Sequence, residues 1–154
     1  MKRNRIAGKL FLLIVFFTVL IFSLFSCMYF SGVKKDGDSA LYSLTQYLNL
    51  ILEYTQSGTM DFYLINKKLI PFILPDFFLQ KKMKPENCFV NIFRFDEYSI
   101  KKADFPFYTV YIKNKQEGWS HTLLFKMAVI EGNAYLIPSK IIGNTIDPWW
   151  DILE

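Results

Sequence analysis

The chain has one histidine, His121, two cysteines, Cys27 and Cys88, and fourteen carboxylate side chains in 154 residues. Catalysis by a Ser-His-Asp or Cys-His set would rest wholly on His121. No Gly-x-Ser-x-Gly turn supplies a nucleophile elbow. His121 stands two residues after Trp119 in an apolar run that reads as a strand, a spacing that puts both side chains on one face. A packed or surface imidazole is the plainer reading of that position. Metal binding needs several converging His, Cys or carboxylate ligands, and the pattern holds no such set, so no metal and no cofactor are expected. The seven glycines are scattered at turns rather than gathered into a phosphate-cradling loop. Cys88, between Asn87 and the apolar pair Phe89-Val90, reads as a small buried hydrophobe.

Net charge is +4, but its distribution matters more than its size. Lys2, Arg3, Arg5 and Lys9 precede the apolar run Leu10 to Phe25, and every acidic residue lies after Cys27. Taking those four bases from eighteen leaves fourteen against fourteen acids, so the body of the chain is formally neutral. The basic pairs Lys34-Lys35, Lys67-Lys68, Lys81-Lys82 and Lys101-Lys102 read as solvated loops or helix ends. They do not make the one-sided basic face that nucleic acid requires. The aromatic share of 18% excludes disorder for the body of the chain.

A basic head followed by an apolar run is an export or anchoring segment. Residues Ser23-Leu24-Phe25-Ser26-Cys27 resemble a bacterial lipoprotein signal, with Leu24 three places before the cysteine and the small Ser26 directly before it. The resemblance implies cleavage after Ser26, a diacylglycerol on Cys27 and attachment to a bilayer through acyl chains. The other reading keeps residues 10–30 as an uncleaved transmembrane helix, since about 20 apolar residues span a bilayer. Basic residues on its amino side would hold that end in the cytoplasm. Both readings place the rest of the chain on the extracytoplasmic side of a bacterial envelope. The expected organisation is therefore a signal or anchor over 1–26, a polar tether over 27–38 and one domain over 39–154.

Within the domain, Ser39 to Gln56 carries apolar residues at helical spacing, from Leu41 to Tyr54. Asp38 or Ser39 can cap its start and Gly58 can end it. Asp61 to Leu69 reads as a second helix, closed by Pro71, and Pro75 can open a short third. After Cys88 the period changes to two. Phe89 to Phe95, Tyr98 to Ala103, Phe107 to Lys113, Trp119 to Ile130 and Ala134 to Pro138 read as strands. Helices first and an antiparallel meander afterwards predict an α+β domain, with N-terminal helices packed on a curved antiparallel sheet.

That order of elements resembles the NTF2-like superfamily, a cone in which a long helix covers a curved sheet; a cystatin-like fold has a similar string. The closing hairpin carries the likeness, in Trp119 to Met127 and then Asn133 to Pro138. Such cones often enclose an apolar pocket, and the resemblance implies Tyr111, Trp119, His121, Phe125 and Tyr135 as candidate lining. Acid–base enzymes of this type use an Asp base with Tyr donors. Asp61, Asp96 and Asp104 with Tyr98, Tyr108 or Tyr111 are the residues available, and nothing pairs them. A non-catalytic ligand-binding or scaffolding role is the expectation. An alternative is an assembly component of a secretion or conjugation apparatus, with an envelope protein as partner. The adjacent Trp149 and Trp150 either fold back on the domain or form a docking patch.

Overall fold

The computed structural model describes residues 3–58 and 61–153. In its first helix the side chains of 3–13, 24, 25 and 27–31 lie outside the described residues. The chain divides into two compact units, Met1–Lys35 and Asp36–Glu154.

Helix α1 is Arg3–Ser57. The sequence led us to expect a helix starting at Ser39 after a polar tether, and this is corrected: residues 31–38 are helical, and the helix has no start at Asp38 or Ser39. No proline falls between Arg3 and Ser57. Gly32 and Gly37 each cost a helix only about 1 kcal/mol relative to alanine, too little to stop it alone. Gly37 has a tertiary use: its carbonyl accepts from the Tyr108 hydroxyl at 3.0 Å. A Cβ there would sit 3.7 Å from that of Phe105. Past residue 36 the helix buries Ala40, Leu44, Tyr47, Leu48, Ile51 and Tyr54, a single stripe at three- and four-residue spacing. Gly58, at φ +60°, turns the chain away beyond its end.

Helix α2, Phe62–Leu69, begins on Asp61, whose carboxylate accepts from the Tyr63 amide at 3.0 Å. It buries Ile65 and Leu69, with Lys67 and Lys68 near the negative end of its dipole. Pro71 lies in the 3-10 turn Ile70–Phe72 and Pro75 opens α3, Pro75–Gln80, as expected from the sequence. A second 3-10 turn, Pro85–Asn87, leads to the strands.

Strands β2 (Glu97–Asp104), β3 (Phe107–Asn114), β4 (Trp119–Ile130) and β5 (Asn133–Leu136) form an antiparallel sheet in that order, and helices pack against it. The domain is thus α+β. Tyr108, Val110 and Ile112 of β3 and Leu123, Phe125 and Met127 of β4 are buried in the same core as the α1 stripe. Glu131 and Gly132, at φ +52° and +81°, make the tight β4–β5 turn.

A long strand over Phe89–Phe95 is not observed. Only β1, Phe89–Val90, pairs, and it runs parallel to β7 (Thr145–Asp147) in a small second sheet completed by β6 (Lys140–Ile142). The pairing ends at Asn91, whose amide still donates to the Ile146 carbonyl at 2.8 Å and whose side chain donates to the Asp147 carboxylate at 2.9 Å. The chain then crosses to the main sheet, where the Asp96 amide donates to the Lys113 carbonyl. Strand β8, Asp151–Leu153, closes the chain along β4.

Tyr47 is 1% exposed, and its hydroxyl has no hydrogen-bond partner among the described residues. A buried hydroxyl without a partner costs about 1–3 kcal/mol. Tyr47→Phe should therefore raise the free energy of unfolding of the full chain by about 1 kcal/mol in denaturant titration. A loss of stability would show that this hydroxyl is paired.

Candidate functional site

Strand alternation puts Trp119, His121, Leu123, Phe125 and Met127 in one row along β4. At the Trp119 end the row forms an aromatic cluster. The indole of Trp119 stacks on the His121 ring, with centroids 5.1 Å apart and planes at 29°. Phe93 lies against all of its neighbours there, 5.8 Å from Trp119, 5.5 Å from His121 and 4.6 Å from Trp149. Phe125, at 1% exposure, belongs to the core instead, edge-on to Tyr47 at 6.3 Å.

Of the five residues expected to share a pocket, Trp119 and His121 are brought together. Tyr111 and Tyr135 are not in their row. The four-residue turn Lys115–Gly118 pairs Tyr111 with Thr122, and Tyr135 pairs with Ala128, the alternate positions of β4. Lys101 stands over the Tyr111 ring at 5.2 Å. Tyr135 instead lines an open groove of about 490 Å³ between α1, the turn Ile70–Phe72 and the β4–β5 hairpin. Tyr42, Gln46 and Phe72 face the same groove. The Ser43 hydroxyl, also on this groove, donates across to the Ala134 carbonyl at 2.9 Å.

The two tryptophans of the tail divide. Trp149 is 9% exposed against Phe93. Trp150 is 43% exposed, yet its indole N–H donates to the Ile137 carbonyl at 2.7 Å and Lys126 sits over its ring at 4.8 Å. Phe93 is the cluster member that sequence reasoning missed. It stands outside any strand, so its alternation with Phe89 and Phe95 pointed to a sheet face that does not exist.

Each candidate base has a local partner. Asp61 caps α2, Asp96 accepts from the Lys115 amide at 2.6 Å, and Asp104 pairs with Lys102 at 2.9 Å. The Tyr98 hydroxyl donates to Asn49 at 2.7 Å. Burial, and then the nearby Asp38 charge, push the Tyr108 phenol up to about 12. Burial raises the Cys88 thiol as well, helped by Glu86, and that thiol donates to the Lys84 carbonyl at 3.4 Å. A thiol held neutral in this way is a weak nucleophile. Among the described residues no three His, Cys, Asp or Glu side chains are grouped to hold a metal ion. The side chain of Cys27 lies outside the described residues.

No family model, curated protein or solved structure matches the chain.

Trp149→Ala should lower unfolding free energy by about 3 kcal/mol, as expected for truncating a buried aromatic side chain. Trp150→Ala should cost about 1 kcal/mol, the worth of one hydrogen bond and a partly exposed ring. Equal and negligible losses in denaturant titrations of both variants would contradict the packed tail.

Proposed function

We propose that this chain is a membrane-attached protein of a bacterial envelope, with a non-catalytic ligand-binding or scaffolding domain on the extracytoplasmic side. The observation that carries the reading is in the first unit. Ile14, Val15, Phe16, Phe17, Val19, Leu20, Ile21 and Phe22 are consecutive or nearly so, and all are exposed, Phe22 by 81%. A continuous exposed apolar surface calls for a cover, and acyl chains supply one. Among the described residues no helix is long and apolar enough to cross a membrane. The run 10–30 includes ten positions whose side chains are outside that description.

The box Leu24-Phe25-Ser26-Cys27 favours lipoprotein processing, with Cys27 carrying the anchor. Each buried methylene contributes about 0.8 kcal/mol, so two or three acyl chains hold a small protein where one does not. The second reading, an uncleaved anchor in an assembly component, is favoured by the helix running without interruption through Ser26 and Cys27. For the domain, a long helix on an antiparallel sheet supports the NTF2-like likeness. The Tyr42–Tyr135 groove, lined by rings and neutral polar groups, supports a binding role over an acid–base one.

Metabolic labelling with an alkyne fatty acid tests the anchor. The wild-type chain should take up label and pellet with membranes, and Cys27→Ala should take up none. A Cys27→Ala chain that labels as strongly as wild type excludes acylation at that cysteine. An unlabelled wild-type chain that still resists alkaline extraction from membranes establishes the uncleaved anchor instead.

A further inference from the structure

Two adjoining clefts lie beside helix α2, one of about 270 Å³ and one of about 710 Å³, and Tyr63, Glu86 and Phe89 line both. Their rims bring together lysines that are remote in sequence. Lys67 comes from the last turn of α2, Lys82 from the bend after α3 and Lys84 from the approach to the turn Pro85–Asn87. Lys68 and Lys81, their neighbours in sequence, are also exposed. None of these five takes part in an ion pair among the described residues, whereas Lys102, Lys115 and Lys140 each do.

Charge is segregated accordingly. Residues 61–90 hold five lysines against three acids, of which Asp61 is engaged as a cap, while residues 91–153 hold seven bases and seven acids. Exposed apolar side chains belong to the same elements. Phe62, Tyr63 and Leu64 are 46%, 60% and 47% exposed, and Leu79 of α3 is 75% exposed. The Phe62 ring is held by stacking on Phe89, with centroids 6.0 Å apart.

We propose that the surface made by α2, α3 and the turn Pro85–Asn87 docks on an anionic phospholipid bilayer. Lysines around the clefts meet headgroup phosphates, and Tyr63, Leu64 and Leu79 enter the interface between headgroups and acyl chains. Charge alone would serve any polyanion. Protruding apolar side chains among the lysines are what a bilayer uses and a soluble phosphate does not. Glu86, on both clefts, tempers the site and sets a requirement for several lipid headgroups rather than one. This is a membrane contact separate from the proposed anchor, and it does not depend on acylation of Cys27.

The test uses the full chain reconstituted in vesicles of phosphatidylcholine, with or without about a third phosphatidylglycerol. Protein-free vesicles of the same composition are added, so that lipid is offered beside the anchor and across from it. Hydrogen exchange should slow in residues 61–69 and 78–89 on the anionic vesicles only, and high salt should abolish the effect. The combined variant Lys67→Gln, Lys82→Gln, Lys84→Gln should raise the anionic lipid concentration for half protection about a hundredfold, at roughly fivefold per lysine. Leu79→Ser, at an exposed position that folding does not use, should raise it as well. Equal exchange on both compositions overturns the proposal, as does equal protection by soluble inorganic phosphate. A chain that stays out of vesicles altogether contradicts the anchor, and the same added vesicles still test the surface.

Discussion

Six side chains of α1, from Ala40 to Tyr54, are buried in one core with Val110 and Ile112 of β3 and Leu123, Phe125 and Met127 of β4. An amphipathic helix of this length has no stable cover in water, and a sheet with one apolar row has none either. Each therefore needs the other, and the remaining elements are arranged around their contact. Polar bonds fix its register at several points: Tyr108 to the Gly37 carbonyl, Ser43 to Ala134 and Tyr98 to Asn49. These bonds sit at the margins of the apolar contact, where direction matters more than area.

Much of this is legible in the amino-acid sequence. The α1 stripe, the second helix ending at Leu69, the breaks at Pro71 and Pro75 and the long strand Trp119–Ile130 all follow from local chemistry. What escaped depends on partners distant in sequence. Strands β6, β7 and β8 have three residues each, too few for a period to declare itself. The strand expected over Phe89–Phe95 is cut to Phe89–Val90, whose partner is the distant Thr145–Ile146, with Asn66 of α2 accepting the Val90 amide. The face taken by Tyr111 is set by the length of the turn after Asn114, which decides whether odd positions of β3 meet odd or even positions of β4. The helical state of residues 31–38 was missed because glycines and charges read as a linker when the flanking helix is not in view.

The same physics separates the surfaces. Trp119, His121, Phe93 and Trp149 spend their rings on one another, so the chain's sole imidazole is part of a packed cluster rather than poised in an open cavity. Concave space lies elsewhere: in the neutral groove at Tyr42 and Tyr135, and in the lysine-rimmed clefts beside α2. The proposed attachment to a bilayer would give the domain two kinds of contact, with the membrane and with a ligand or partner. These two differently charged regions are suited to that division.

The contact of helix and sheet is tested most directly by a double-mutant cycle on Tyr47 and Phe125, whose rings meet edge-on. Unfolding free energies of the full chain, Tyr47→Leu, Phe125→Leu and the double variant give the coupling. A favourable coupling of about 1 kcal/mol is predicted for an edge-on aromatic pair in a packed core. Strict additivity of the two losses would mean that the rings do not meet, and that this helix does not lie on this sheet.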